Sequence, residues 1–281
     1  MAHAVFADTP PLRLRPEQVP ALARLAREAA GIELHGGKIE FLQARLARRL
    51  TACGLREFDD YARLVESDPG ERKAFVEALT THTTSFFREA DQYRWLEAEG
   101  LPEIFANAVG REVVIWSAAC SSGQEGWSAL MVAERLRRTR LYAPMARLIG
   151  TDISTQVLRR AATAVYSGDE VASLPLEHRR LFLLSARSGD GRCRITPELR
   201  ARASWRQANL VEGSGLEGVS ADVVFLRNVL IYFDAETQRR VIDTVVRRLR
   251  PGGYLLTGHT ETAYRRPDLA ILRPSIYRKD A

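Results

Sequence analysis

The chain has 281 residues, of which 46% are hydrophobic and 27% are charged, and its formal net charge is +6. These values are typical of a globular protein with room for one large and one small domain. No apolar run is long enough to cross a membrane and residues 1–20 lack the apolar core of a signal peptide, so we expect a cytoplasmic protein without membrane insertion. Three well-separated cysteines and five scattered histidines argue against a disulfide framework and against a bound metal.

The first part of the chain is predicted to be helical after an irregular start. Residues 1–18 are rich in proline, and we expect them to form a flexible lead-in. From residue 19 to residue 80, apolar residues such as Leu22, Leu25 and Ala26 recur at helical spacing between turns that contain glycine. The sequence therefore predicts an N-terminal all-α domain of four short helices over residues 19–80.

Residues 81–281 show the alternation of strands and helices that is typical of a parallel α/β sheet covered by helices on both faces. The segment 171–200 interrupts this rhythm, because a Gly-Asp-Gly turn at 189–191 lies between two short strand-like runs. We predict that it forms a small antiparallel insert on the main sheet. The predicted strands are 113–117, 147–151, 204–208, 223–227 and 253–257, and the predicted helices are 90–98, 101–107, 127–139, 155–164 and 235–249.

The strongest functional signal lies around the first two of these strands. The first strand leads into a turn of small residues at 118–123, a helix follows, and the next strand ends at Asp152. Doubly wound folds bind nucleosides in this way, because the turn amides and the helix N-terminus meet a polar group while the acid accepts the ribose hydroxyls. The segment predicts a nucleoside-containing cofactor.

The residues within the turn indicate which cofactor this is. A dinucleotide site needs G-x-G-x-x-G so that the backbone can approach two phosphates, but this turn has one glycine in its tight part and is followed by Glu125. A carboxylate there would repel a pyrophosphate and would suit the ammonium group of S-adenosylmethionine (SAM), which has no phosphate. The alternative is a turn without a ligand, in which Glu125 and Asp152 would face solvent.

Six ordered blocks then resemble one family over nearly the whole chain, the CheR family of chemotaxis receptor glutamate methyltransferases. They are TTHTTSFFRE at 80–89, AACSSGQEGWS at 118–128, GTDIS at 150–154, ANL at 208–210, LRNVLIYFD at 226–234 and LRPGGYLLTGHTE at 249–261. The resemblance implies a Rossmann-like SAM-dependent methyltransferase sheet with a small antiparallel β insert and an N-terminal all-α domain. It also implies transfer of the SAM methyl group to receptor glutamates, which gives methyl esters and S-adenosylhomocysteine.

The resemblance also supplies residue roles. It implies that Arg88 and Tyr232 lie at the methyl-transfer site, with Arg88 orienting a group rather than moving a proton, and that Asp152 takes the ribose. The implied cofactor-binding residues are His82, Thr84, Arg88, Glu125, Asp152, Asn209, Leu210, Arg227 and Asn228. His82 departs from the family, which usually has Asn there. An imidazole nitrogen can donate or accept a hydrogen bond but not do both, whereas an amide side chain does both.

Alternatives stay open for several of these residues. Arg88 could instead form a structural ion pair with Asp91 or Glu97. The aromatic residues Phe86, Phe87 and Trp127, the last of which stands in a Gly-Trp pair where the family has Pro-Tyr, could be core residues.

The expected partners are receptor methylation helices, which are rich in Glu and Gln. Arg45, Arg48, Arg49 and Arg56 could contact them, or could form a solvated face, because residues 1–80 hold equal numbers of basic and acidic residues. The β insert could bind a receptor C-terminal peptide, and we expect a monomer that binds no nucleic acid. Two rival readings are a methyltransferase for RNA or a small molecule, and a protein that binds SAM without catalysis.

Overall fold

The computed structural model describes residues 12–34, 39–186, 189–263 and 266–280. The chain divides into two compact units, Met1–Thr81 and His82–Ala281. Residues 1–11 of the expected lead-in lie outside the described residues. The rest of it is more ordered than we predicted, since Pro16–Gln18 forms a 3-10 helix and Leu14 is buried. Leu14 anchors this short segment by its burial. The proline content, from which we predicted flexibility, does not reveal such an anchor.

The first unit consists of four α-helices that bury one apolar stripe each. They are α1 (Val19–Ala30), α2 (Ile39–Ala52), α3 (Phe58–Ser67) and α4 (Pro69–Leu79). Two of them begin or end at a recognisable signal: α1 stops at Gly31, whose φ is 69°, and the Asp68 side chain accepts the Glu71 N–H at the start of α4. Phe58, Tyr61 and Phe75 form part of the buried core between them.

The second unit is built on a seven-stranded mixed sheet. Its strands are β1 (Val113–Ala118), β2 (Ala146–Asp152), β6 (Ala203–Gln207), β7 (Ala221–Leu226), β8 (Leu249–Thr257), β9 (Leu269–Arg273) and β10 (Ile276–Lys279). They lie in the order β6-β2-β1-β7-β8-β10-β9. The first five are parallel neighbours, with Ala118 of β1 beside Thr151 of β2 and Leu226 of β7. Their carboxyl ends therefore meet at one edge, where ligands bind in such sheets.

Helices precede the first of these parallel strands or follow one of them in the chain. They are α5 (Ala90–Trp95), which runs into a π-helical turn at Leu96–Gly100, α6 (Leu101–Asn107), α7 (Gln124–Arg138), α8 (Thr155–Thr163) and α11 (Ala235–Val246). Two apolar clusters pack around the sheet, one including Trp127 of α7 and the other Val241 and Val245 of α11. The predicted Rossmann-like arrangement of parallel strands and helices is confirmed.

The sheet differs from the prediction at its C-terminal side. We predicted only parallel strands, but β10 pairs antiparallel with both β8 and β9. These two strands were missed because no helix separates them and because the Ala270–Arg273 stretch of β9 is exposed, so it lacks the apolar pattern of a buried strand.

The predicted antiparallel insert is confirmed, and it forms a sheet of its own rather than part of the main sheet. It contains β3 (Val165–Tyr166), β4 (Leu183–Ser185) and β5 (Cys193–Ile195) in the order β3-β5-β4, together with α9 (Leu176–Phe182) and α10 (Pro197–Arg200). β5 is the middle strand because Cys193 pairs with both Tyr166 and Ser185. The sequence did not reveal β3, since a two-residue strand shows no periodicity.

None of the helices in the described ranges is long and apolar enough to span a membrane.

Candidate cofactor and methyl-transfer site

The turn after β1 is held in an unusual backbone conformation. Ala119, Ser121 and Gly123 all have positive φ, at 58°, 50° and 92°. A side chain at Gly123 would be unfavourable for two reasons. The positive φ disfavours any residue with a Cβ, and that Cβ would come within 2.9 Å of the Ala161 and Trp205 side chains. The turn therefore folds back tightly and directs the first N–H groups of α7 towards the carboxyl edge of the sheet.

Asp152 lies at the end of β2 with its carboxylate fixed by backbone groups. Its Oδ2 accepts the Ser121 N–H (2.8 Å) and its Oδ1 accepts the Ser154 N–H (2.9 Å). The residue is 6% exposed. Burial raises the pKa of Asp152, and the backbone hydrogen bonds and a positive charge on His82 oppose this rise. The carboxylate is oriented and retains free lone pairs, which fits the predicted role of accepting ribose hydroxyls.

Glu125 lies in the first turn of α7 and is held from two sides. Its Oε1 accepts the Ser117 hydroxyl (2.7 Å), and its Oε2 is 3.5 Å from Nη1 of Arg227. Burial raises the pKa of Glu125, as do Glu89 and Glu261, and Arg227 opposes them. The Glu125 side chain is 13% exposed. A turn without a ligand would have left Glu125 and Asp152 facing solvent, and neither of them does.

The segment before α5 crosses the same turn. The His82 carbonyl accepts the Ser121 hydroxyl (3.0 Å), and the Phe87 N–H donates to the Ser128 hydroxyl (3.0 Å). His82 and Thr84 are half-buried. These bonds bring the predicted residues of the first block to the turn that carries Glu125. Sequence alone could not show this, since the bonded residues are about 40 positions apart.

The three aromatic residues with open roles are packed in the core of this unit. Phe86 is 1% exposed and meets the Tyr166 ring edge-on, and Trp127 is fully buried with its ring centroid 5.3 Å from that of Trp205. Phe87 is half-buried against Tyr93 and His178. Core packing is thus the role that the structure gives them.

Arg88 does not form the structural ion pair that was its alternative role. Asp91 pairs with Arg94, and Glu97 pairs with Arg135. The half-buried Arg88 instead donates from Nη1 to the Thr83 carbonyl (3.1 Å). Within the described parts of the chain, its guanidinium has no carboxylate within ion-pairing distance. A cation on the segment that is bonded to the cofactor turn therefore remains able to bind an anionic group.

Arg227 follows β7 and is buried behind the site. Its side chain is 1% exposed and contacts the Glu89 and Glu125 carboxylates, the Tyr93 hydroxyl and the Arg88 carbonyl. We expected Arg227 to bind the cofactor, but the structure places its guanidinium among protein groups. The roles of Glu89 and Tyr93 in this network were missed, although Glu89 directly follows Arg88 in the first block.

Glu261 is a second missed residue and holds the loop after β7. Its carboxylate accepts the N–H groups of Asn228 (2.6 Å), Gly258 (2.8 Å) and Leu230 (2.7 Å). Asn228 has a positive φ of 57°, and Tyr232 ends the 3-10 helix Leu230–Tyr232. The available signal was an acid shortly after a buried strand, in the TGHTE block, which we did not assign.

The loop after β6 carries the predicted residues Asn209 and Leu210. The Ala208 N–H donates to the Asp152 carbonyl (2.9 Å), which places this loop next to the acid. The Asn209 side-chain carbonyl accepts the Val211 N–H (2.9 Å) and Leu210 is 8% exposed. The side-chain carbonyl of Asn209 therefore stabilises its own loop. The predicted contact with the cofactor would use other groups of Asn209 and Leu210.

One member of the predicted arginine surface of the first unit has a partner inside that unit. Arg49 makes a two-point ion pair with buried Glu71, whose Oε1 also accepts the Tyr61 hydroxyl (2.7 Å). This pair raises the pKa of Arg49 and engages its half-buried guanidinium within the helical unit, so Arg49 is less available to a partner than the other three arginines. Arg45, Arg48 and Arg56 are exposed.

Together, the fold and these side chains define a class of protein. The carboxyl edge presents a fixed acid for a ribose and a second acid at a helix start, where a pyrophosphate would be repelled. Within the described residues no group of His, Cys, Asp and Glu is arranged to hold a metal ion. The donor set fits a cationic nucleoside, and the class is the SAM-dependent methyltransferases.

Comparison with known proteins identifies the family. Residues 82–275 match the model of the CheR methyltransferase SAM-binding domain, and residues 17–80 match the CheR methyltransferase all-alpha domain. The chain belongs to the CheR methyltransferase family, and its cofactor is SAM.

Curated relatives agree with the family models. A chemotaxis protein methyltransferase of Klebsiella aerogenes is 36% identical over 85% of this chain and 81% of its own length. Chemotaxis protein methyltransferase 2 of Pseudomonas aeruginosa is 36% identical over 82% of this chain and 81% of its own, and the Escherichia coli protein is 34% identical over 85% and 82%. Similarity to a solved O-methyltransferase family protein from Burkholderia thailandensis is weak, with 18% identity and a TM-score of 0.37 over 82% of this chain and 56% of that one.

Proposed function

We propose that this chain transfers the methyl group of SAM to glutamate side chains on the cytoplasmic helices of chemoreceptors, forming glutamate methyl esters. The observation that carries the proposal is the half-buried Arg88, whose segment is hydrogen-bonded to the cofactor turn and to α7 and whose guanidinium has no carboxylate partner in the described residues. A guanidinium in that state is complementary to an incoming carboxylate.

The reaction needs no general base. A glutamate side chain with a pKa of about 4.3 is already ionised at neutral pH. SAM supplies a methyl group on a cationic sulfur: the carboxylate oxygen forms the new bond to carbon, the carbon–sulfur bond breaks, and its electron pair makes sulfur neutral. Charge is lost in this step, so alignment and exclusion of water are the main requirements.

The residues of the chain then have separate tasks. Asp152 accepts the ribose hydroxyls and Glu125 binds the ammonium group, which together fix the cofactor. Arg88 orients the acceptor carboxylate, and a contact that is not too tight avoids stabilising the ground state. Tyr232, at the end of its 3-10 helix, shapes the side of the pocket from which the acceptor enters.

Two surfaces are proposed to contact the receptor. The exposed Arg45, Arg48 and Arg56 of the helical unit complement helices that are rich in glutamate. The insert offers the edge strand β4 (Leu183–Ser185), which has one paired neighbour, β5, and whose Leu184 is 50% exposed. Such an edge can accept an added peptide strand.

A direct assay tests the proposal. The protein is incubated with SAM labelled in the methyl group and a receptor cytoplasmic fragment, and the label is located by peptide mapping. We expect base-labile label on glutamate peptides and its loss from a fragment in which those glutamates are replaced by glutamine. Label on RNA or on a small molecule, or cofactor binding without any transfer, would overturn the proposal in favour of the rival readings.

A further inference from the structure

We infer that Arg227 is a positioning residue that joins the cofactor acid Glu125 to the backbone of Arg88, and that its guanidinium does not contact the cofactor. The inference rests on the proposed function in one respect, the contact between Glu125 and the ammonium group of the cofactor.

The two ends of the guanidinium serve two different parts of the site. Nη2 donates to the Arg88 carbonyl (2.5 Å) and lies 3.0 Å from Oε2 of Glu89. Nη1 donates to the Tyr93 hydroxyl (3.2 Å) and lies 3.5 Å from Oε2 of Glu125. Only a planar fork can reach both sides at once, and a lysine ammonium cannot reproduce this geometry.

The burial of Arg227 leaves its side chain no route to a ligand. The side chain is 1% exposed, and it packs over the rings of Tyr93 and Phe225, with its Cζ 5.6 and 6.0 Å from their centroids. Its Nε is buried and has no hydrogen-bond partner among the described residues. The residue is therefore enclosed by aromatic rings on one side and by carboxylates on the other.

The charges around Glu125 give Arg227 a second task. Burial raises the pKa of Glu125 most, Glu89 and Glu261 raise it further, and Arg227 together with the Ser117 hydroxyl opposes them. His259 lies 3.6 Å from Glu89 on the outer side, with a 54% exposed side chain. Arg227 thus favours the ionised form of Glu125, which is the form that can bind an ammonium group.

These two tasks predict different effects of three variants on turnover and on the pH dependence of binding. Arg227→Met removes the charge and the fork, so the pH below which binding is lost should move upward and turnover should fall. Arg227→Lys keeps a charge near Glu125 but loses the bond to the Arg88 carbonyl, so turnover should fall while the pH dependence of binding stays close to that of the parent. Glu89→Gln removes a repelling charge and should move the pH dependence downward.

The experiment measures S-adenosylhomocysteine binding by calorimetry between pH 5 and 8.5, and kcat with a receptor fragment. Arg227→Lys should lower kcat about tenfold or more, which is the size of effect expected for a displaced orienting group. Arg250→Met is the control for loss of a half-buried arginine from the same sheet, since Arg250 pairs with Asp222 near the start of β7. This control should lower the melting temperature without moving the pH dependence of binding.

The inference is overturned if Arg227→Met and Glu89→Gln leave the pH dependence of binding where it is in the parent, or if Arg227→Lys keeps full kcat. Should Arg227→Met fail to fold, Glu89→Gln and Arg227→Lys decide the matter by themselves. The binding measurements need no acceptor, so a failure of the proposed receptor substrate would show only in the kcat measurements.

Discussion

The backbone N–H of Ser121 donates to Oδ2 of Asp152 over 2.8 Å, although the two residues are 31 positions apart. This bond ties the turn after β1 to the end of β2 and leaves the carboxylate pointing along a single direction. The hydroxyl of the same serine donates to the His82 carbonyl. One small residue therefore joins three of the family's sequence blocks, which explains why a small polar residue occupies the tight part of this turn.

Asp152→Ala should weaken cofactor binding. The loss of hydrogen bonds between a charged acceptor and the ribose hydroxyls is worth about 1.5–3 kcal/mol, which is roughly a 10- to 150-fold rise in the Kd of S-adenosylhomocysteine. Calorimetry at pH 7.5 measures this. Asp169→Ala, at an exposed position, is the control and should keep the parent Kd. An unchanged Kd for Asp152→Ala would remove Asp152 from the site.

Arg88→Ala should largely abolish methyl transfer while S-adenosylhomocysteine binding becomes weaker but stays measurable. The reason is that Arg88 orients the acceptor, whereas Glu125 and Asp152 still hold the cofactor. Label transfer to a receptor fragment and calorimetry report the two effects separately. Arg94→Ala is the matched control, because Arg94 pairs with Asp91 on the exposed side of α5. Full turnover by Arg88→Ala would contradict the assignment.

Glu261→Gln should disturb the loop that carries Asn228 and Tyr232. An amide can accept through its oxygen, but its NH₂ group would face the N–H groups of Asn228 and Gly258, which now share one carboxylate oxygen. We expect a loss of about 1.5–3 kcal/mol of folding free energy, measured by urea unfolding, and a lower kcat. Glu212→Gln, in an exposed turn, should change neither quantity.

Charge reversal at Arg45 and Arg48 should reduce methylation of the receptor without changing cofactor affinity. Both side chains are exposed on α2, and glutamates there would repel an acidic helix. The measurement is the KM for the receptor fragment at low and high salt, since screening weakens exposed charge interactions. Arg27→Glu on α1, where the side chain is 62% exposed, is the control. An equal rise in KM for Arg27→Glu would show that net charge, rather than this surface, is responsible.

The acid stability of the second unit should depend on Glu134. Burial alone would raise the pKa of Glu134, but hydrogen bonds from Arg137 and Arg138 and the charge of Arg202 lower it to about 2 from 4.5. Because the folded pKa is depressed, this contribution is fully present above pH 4.5 and is lost as the pH falls towards 2. It amounts to roughly 3 kcal/mol.

Urea unfolding between pH 2 and pH 6 measures that contribution. Glu134→Gln should make stability depend less on pH below pH 4.5 and should lower it above that value. Glu177→Gln, whose parent side chain is 59% exposed and pairs with Arg135, should keep the slope of the parent. An identical slope for Glu134→Gln would show that the arginines do not act on Glu134 as described.

The sequence by itself determined the elements and the cofactor class. Hydrophobic periodicity is a local property, so it predicted four helices over residues 19–80 and the five parallel strands, with the strand boundaries mostly within three residues of those observed. The acid at 125 and the turn with one glycine indicated a cation rather than a pyrophosphate, because charge and backbone approach are also local requirements. Periodicity could not show β3, β9 and β10, since very short or exposed strands carry no apolar alternation.

Only the tertiary structure decided what the charged side chains do. Arg49 and Arg227 looked like surface or ligand-binding cations in sequence, but the fold pairs each with acids, Glu71 for the first and Glu89 and Glu125 for the second. Arg88, by contrast, keeps its charge available because Asp91 and Glu97 are taken by other arginines. The physical reason is that the partner of a charge is selected by distance across the folded chain, and sequence separation does not record that distance.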